Sequence, residues 1–267
     1  MNRYQKTFES LKNRKESAFI PFAVAGDPDP EKSEAVFRAF IDGGADILEI
    51  GYPFSDPIAD GPVNQRAAQR AIASGLNHSR FFSLVKSLRN YTDIPFGVLL
   101  YANSINHLGY RTFCKKAADA GIDSLLVADM PPEESSELQK AMKECKLGRV
   151  FIVTELTPIS RMKMICDQVD SFVYVVSRLG TTGVAKDLSS SVRGTLQKLR
   201  TVTDKPLAVG FGISTPEHVR SVKHSGADAV IVGSALVSII ESHSKETANL
   251  GAILRKKVSS YKTATRS

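Results

Sequence analysis

Gly43–Gly51 reads GGADILEIG, and the same construction returns as AGIDSLLVAD over Ala120–Asp129 and as SGADAVIVGS over Ser225–Ser234. Each stretch carries a glycine suited to the left-handed cap that ends a helix, then a small or apolar residue, an Asp, and a short apolar run that reads as a buried strand. The three are an internal repeat of one helix-to-strand junction. Two further strands enter through a proline, Pro95 before FGVLL and Pro206 before LAVGFG, where a missing N–H is tolerated at a strand's first residue. FIPFAVAG from Phe19, VFIVTEL from Val150 and SFVYVVS from Ser171 bring the number of strands to about eight.

Between them lie segments with apolar residues at helical spacing, such as EKSEAVFRAFIDGG, HLGYRTFCKKAADAG, EESSELQKAMKEC and TPEHVRSVKHSG. Apolar strands alternating with helices predict a parallel sheet, and about eight such units in 267 residues suit a closed (β/α)8, or TIM, barrel. An open doubly wound sheet is the alternative. No Gly/Ser-rich linker or composition shift divides the chain, so residues 1–267 read as a single barrel domain. Tyr4, Phe8 and Leu11 form a stripe on an extra N-terminal helix expected to pack on the barrel's bottom, and ALVSII after the eighth strand reads as a short extra helix. The basic C-terminal LRKKVSSYKTATRS reads as a solvated last helix with a frayed tail.

A composition of 42% hydrophobic and 24% charged residues excludes disorder and fibrous repeats, and a domain of this size needs neither disulfides nor a structural metal. The excess of 35 Lys and Arg over 28 Asp and Glu suits anionic ligands such as phosphates, and equally a nucleic acid. Aromatic and basic residues are not interleaved, so nucleic-acid binding is not predicted. Cys114, Cys145 and Cys166 form no CxxC pair, which points to a reducing, cytoplasmic setting. The polar N-terminus is no signal peptide, and no apolar run approaches the roughly 18 residues of a membrane span. His78, His107, His218, His224 and His243 show no ligand spacing and read as solvated positions, so no metal is predicted.

In a barrel of this kind the chemistry sits at the C-terminal ends of the strands. The second strand ends at Leu48-Glu49-Ile50 and continues as GYPFSDPIADGP, too polar and too proline-rich for a mere connector. Glu49 lies within an otherwise apolar strand, and a carboxyl directed into a barrel mouth has its pKa raised and is suited to proton transfer. Asp60 is close enough in the chain to face the same ligand. The plainer readings make Glu49 half of a buried ion pair and Asp60 a turn-former before Gly61. The seventh strand ends in Gly210-Phe211-Gly212-Ile213-Ser214 and the eighth in Gly233-Ser234 before a short helix, the pattern with which barrels hold phosphate on free backbone N–H groups. A third glycine loop, Ser177–Gly183, follows the sixth strand as a candidate lid. The plainer reading makes these glycines strand-to-helix turns, which suits one such loop better than it suits three.

LEIGYPFSDPIADGP, then YVVSRLGTTG, GFGIS and VGSA in that order, resemble the tryptophan synthase alpha chain family over nearly the whole sequence. The first motif is highly specific, while GFGIS and VGSA are shared with other phosphate-binding barrels. The resemblance implies a (β/α)8 barrel that cleaves indole-3-glycerol phosphate to indole and glyceraldehyde 3-phosphate. It also implies a beta chain partner in an α2β2 tetramer, with pyridoxal phosphate in that partner and no cofactor here. By resemblance Glu49 is the general acid/base, Asp60 holds the indole N–H, and Tyr174 is an active-site tyrosine that reads equally as a core aromatic. Thr182 is the lid threonine. Gly183, Gly212, Gly233 and Ser234 match phosphate contacts, and Phe22, Leu99, Leu126, Ala128, Ile152 and Phe211 match the apolar walls around the indole. Pro53, Asp56, Pro57, Asn103 and Pro131 match the partner-facing loops. Asn64 stands where the family more often has Ile, and Thr181 replaces a common Val, which bears on the indole pocket and on lid closure. A weakly catalytic activator of a beta chain is one rival reading. Indole-3-glycerol phosphate synthase is another, but it predicts a catalytic lysine on a strand, and no candidate strand carries one.

Overall fold

The computed structural model describes residues 1–176, 186–244 and 248–266. Ser177–Gly183, with Thr181, Thr182 and Gly183, lies outside the described residues. The strands are β1 (Ala18–Val24), β2 (Leu48–Gly51), β3 (Phe96–Leu100), β4 (Ser124–Val127), β5 (Gly148–Arg149), β6 (Phe151–Thr154), β7 (Val173–Val176), β8 (Leu207–Gly210) and β9 (Ala229–Val232). Around them run α1 (Arg3–Asn13), α2 (Pro30–Asp42), α3 (Pro62–Ala73), α4 (His78–Tyr91), α5 (Ala102–Asn106), α6 (Tyr110–Ala120), α7 (Ser136–Glu144), α8 (Ile159–Gln168), α9 (Lys186–Arg200), α10 (Pro216–His224), α11 (Ser234–Ser242) and α12 (Leu250–Ala264).

Every strand pairing is parallel, and the order runs β5-β4-β3-β2-β1-β9-β8-β7-β6. Its two ends are pieces of one stave, separated only by Val150, whose N–H still donates to Leu125 O at 3.2 Å. The ring is thus a closed eight-stave barrel, as the alternation of elements predicts, and the open sheet is excluded. The fifth stave begins two residues before the apolar run at Val150, because Gly148 and Arg149 join β4 through their backbone.

The internal repeat has a physical cause at the bottom of the barrel. In each copy the Asp carboxylate accepts a backbone N–H from the start of the preceding strand: Asp46 from Phe19 at 2.8 Å, Asp123 from Phe96 at 2.8 Å and Asp228 from Leu207 at 2.7 Å. Each is also paired with a cation, Lys262 on Asp46 at 2.9 Å, Arg89 on Asp123 at 2.8 Å, and Arg200 on Asp228. The carboxylate pins one stave to the next while its charge is neutralised.

Side chains alternate between two layers. Phe19, Ala23, Leu48 and Ile50 join the outer core against the helices, whereas Ala18, Ile20, Ile47, Leu126, Tyr174 and Ile231 fill the barrel. Glu49, between Leu48 and Ile50, is therefore turned inward by the period-two geometry of a strand. Tyr4 of α1 closes the bottom, its hydroxyl 2.7 Å from Ser124 Oγ and its ring packed on Phe172, in line with the N-terminal stripe. A Cβ at Gly97 would stand 3.0 Å from Tyr4 Oη, so this stave must be bare where the plug enters.

Two expectations fail here. The C-terminal helix is not a solvated, frayed appendage: Leu254, Val258, Tyr261, Lys262 and Ala264 are buried, and Lys262 Nζ spans Glu16 and Asp46 at 2.9 Å each. Its basic residues hid an apolar face and an ion pair. His78 is half-buried, its Nδ1 2.8 Å from Tyr52 Oη and its ring stacked between Tyr52 and His107, because the start of α4 leans on the loop after β2.

Asp123→Ala leaves Arg89 and the Phe96 N–H without their carboxylate, and is expected to cost about 3 kcal/mol in urea denaturation. Asp167→Ala, which removes an exposed pair with Lys163, should cost less than about 0.5 kcal/mol in the same measurement.

Candidate active site

At the C-terminal mouth a cavity of about 290 Å³ is lined by Phe22, Glu49 and Leu99 from β1 to β3, by Asp60 to Asn64 at the start of α3, by Tyr174, by Phe211 to Ile213 after β8, and by Ile231, Gly233 and Ser234. Glu49, Asp60, Tyr174, Gly212, Gly233, Ser234, Phe22, Leu99 and Phe211 therefore converge on one space, although they come from six staves. Leu126, paired with Leu99, and Ile152, paired with Tyr174, belong to the same interior cluster as those two wall residues. Ala128, just past β4, and Ile152 also line a neighbouring cavity of about 340 Å³ with Met130 and Pro131.

Glu49 is buried and makes no hydrogen bond among the described residues. Burial, with the Asp60 charge as a second cause, pushes its carboxyl up to about 8, so at neutral pH it carries its proton. Asp60 is held differently. It accepts from Tyr101 Oη at 2.9 Å and from Asn64 Nδ2 at 3.2 Å, and these donors oppose the upward shift that burial gives it. Two carboxyls in one cavity thus differ in environment: one is desolvated and bare, the other half-buried and hydrogen-bonded.

Tyr101 and Asn64 are functional neighbours the sequence reading did not assign. Tyr101 directly follows β3, is buried, stacks on Phe54 and also accepts the Ala59 N–H at 3.1 Å, so it fastens the loop that carries Asp60. Its place at a strand's C-terminal end was the available signal. Asn64 stood out in the sequence only as a departure from the family pattern, and its buried Oδ1 has no partner among the described residues.

Tyr174 stands across the cavity with its phenol held well above its ordinary pKa, mainly by burial, and so remains a neutral donor. A Cβ at Gly210 would come within 2.6 Å of its hydroxyl, so only glycine fits there. Phe211 adopts φ +75° and Gly212 φ +69°. A left-handed Phe costs on the order of 1–2 kcal/mol, strain of the kind found where a backbone is bent to face a ligand. Gly233 caps α11, whose first N–H groups no helix can satisfy internally, and they converge on the cavity with the positive end of the helix dipole.

A sequence model of the tryptophan synthase alpha chain matches residues 8–266. The chain belongs to the tryptophan synthase alpha chain family. It is 46% identical to the family's protein from Methanoregula boonei over 93% of this chain and 94% of that one, and 42% identical to that of Desulfatibacillum aliphaticivorans over 100% of both. Among solved structures, the subunit alpha of Legionella pneumophila superposes with a TM-score of 0.91 at 32% identity, covering 99% of this chain and 98% of that one. A chain of the mutually activating tryptophan synthase α2β2 complex from Pyrococcus furiosus superposes with a TM-score of 0.85 at 36% identity, covering 92% and 98%. As a member of the tryptophan synthase alpha chain family the protein is a lyase of tryptophan biosynthesis that cleaves indole-3-glycerol phosphate.

The loops expected to meet a partner are mixed: Asp56 and Asn103 are exposed and Pro131 is half-buried, whereas Pro53 and Pro57 are buried within this chain. Ile58, Leu156 and Ile159 on the same face are exposed at 83%, 66% and 51%, an apolar set that the sequence reading missed.

The folded Glu49 binds its proton more tightly than the unfolded carboxyl at 4.5, so this group costs stability increasingly as pH rises from about 4.5 to about 8. Glu49→Gln, which cannot ionise, is expected to melt above the wild type at pH 8, with the difference shrinking towards pH 5 in matched calorimetric scans. Wild-type cleavage should decline above pH 8 as the acid form is lost.

Proposed function

We propose that Glu49 and Asp60 divide the work of a retro-aldol cleavage. Glu49, protonated at neutral pH, delivers its proton to indole C3. The bond from C3 to the adjoining carbinol carbon then breaks, and its electron pair returns to the ring. The carbinol hydroxyl gives its proton to the Glu49 carboxylate as that carbon becomes the aldehyde, so Glu49 ends the cycle protonated. Asp60 accepts the indole N–H and stabilises the positive charge that protonation places on the ring. Tyr174 supplies a neutral hydroxyl within the same walls. The phosphate sits on the backbone N–H groups of Gly212, Gly233 and Ser234.

The observation that carries this reading is the single cavity that holds a bare protonated carboxyl, a hydrogen-bonded carboxylate and a helix N-terminus. The presence of both carboxyls favours a lyase over a mere activator, and among the described residues no lysine lines the cavity to serve a synthase. Side chains move both protons, so the reaction needs no cofactor, and pyridoxal phosphate belongs to the partner.

That partner is a beta chain in an α2β2 tetramer, supported by the solved relative in a complex of that kind. The exposed Ile58, Leu156 and Ile159 with Asp56 and Asn103 supply an apolar face with a polar rim. Ile58 and Asp56 lie on the loop that ends in Asp60, so docking bears directly on that carboxylate. Three unpaired cysteines suit a reducing cytoplasm.

A spectrophotometric cleavage assay tests the chemistry: Glu49→Gln should bind substrate normally yet lose cleavage, and turnover within about tenfold of wild type would overturn its role. For the interface, Ile58→Asp is expected to keep the basal rate and lose most activation by a saturating beta chain.

A further inference from the structure

Far from the reacting atoms, four charged side chains tie together the two helices that frame the cavity. Arg70 on α3 donates Nε and Nη2 to the two oxygens of Asp27 at 2.7 and 3.0 Å, and Nη1 to Glu241 on α11 at 2.7 Å. Arg66, one turn earlier on α3, grips Glu241 with Nε and Nη2, both at 2.7 Å. Asp27 is fully buried after β1 and anchors the group to the barrel wall. Hydrogen bonds from Arg66 and the charges of both arginines hold Glu241 down at about 2, so this carboxylate stays charged at neutral pH.

The positions of the two helices give the network its meaning. Asp60 stands two residues before α3 and Gly233 one residue before α11. Arg70 lies about 12 Å along α3 from its start, and Glu241 about 10 Å along α11 from its own. The Arg70–Glu241 pair therefore joins the distal halves of both helices, with Arg66 bracing it from one turn nearer the cavity, while the proximal ends face the cavity. On the reading above, one proximal end meets the indole and the other the phosphate. A substrate with an indole ring at one end and a phosphate at the other engages both only if that gap matches its length.

We propose that Arg66, Arg70, Asp27 and Glu241 are positioning residues: they form a strut that sets the separation between Asp60 and the phosphate cradle. The strut selects ligands in which indole and phosphate are joined by a three-carbon chain, without touching the ligand itself. The inference rests on indole-3-glycerol phosphate occupying this cavity.

A merely stabilising network would affect every ligand or none, whereas a spacing device matters only to a ligand that spans the gap. The test uses Arg66→Gln and Glu241→Gln, which leave the Arg70–Asp27 pair intact and so avoid an unpaired buried carboxylate. Calorimetric titration with glycerol 3-phosphate and with indole separately should give affinities within about twofold of wild type. Cleavage of indole-3-glycerol phosphate should lose about tenfold or more in kcat/KM, the scale of a small misplacement of a reacting group. Arg66→Lys, which keeps the charge, should lose less. Unchanged cleavage in both Gln variants, or fragment binding weakened as much as cleavage, overturns the strut. A wild type that fails to cleave indole-3-glycerol phosphate overturns the functional reading first, and the same assay plate distinguishes the two failures.

Discussion

The Asp46 carboxylate, accepting the Phe19 N–H while Lys262 balances its charge, fixes how β2 lies against β1. That register places Glu49 beside Phe22 on one side and Gly97 on the other. Strand side chains alternate, so a slip of one residue would turn Glu49 out among the helices and bring Leu48 or Ile50 into the mouth. Asp123 and Asp228 repeat the arrangement at β3/β4 and β8/β9. A charge at the bottom of the barrel thus governs which side chains reach the top, where the ligand waits.

The interior tolerates Glu49 because the carboxyl is neutral and opens on a cavity rather than on packed hydrocarbon. Asp60, at the rim, is kept compatible with its charge by Tyr101 and Asn64. The two groups therefore meet different environments in one cavity, and the difference arises from solvation and donors, not from residue type. Phe211 adds a third element, a strained backbone held where Tyr174 and Gly210 pack against each other.

Much of this was legible. Apolar runs marked the strands, the glycine and Asp marked the junctions, and a lone carboxylate in an apolar strand marked the mouth. What escaped was set by geometry between elements. Gly148 and Arg149 carry no apolar signal, so the start of their strand appears only once β4 lies beside them. Tyr101 looks like any core aromatic until Asp60 is folded over it. Lys262 looks like a solvated lysine until α12 docks on α2, since its partners lie at Glu16 and Asp46.

The Lys262–Asp46 bond joins residues 216 positions apart. During synthesis the first two staves emerge from the ribosome with Asp46 lacking its counter-charge, and they wait for nearly the whole barrel to be translated before it arrives. Early hairpins of strand and helix are thereby denied a stable stopping point, and the barrel becomes cooperative across its full circumference.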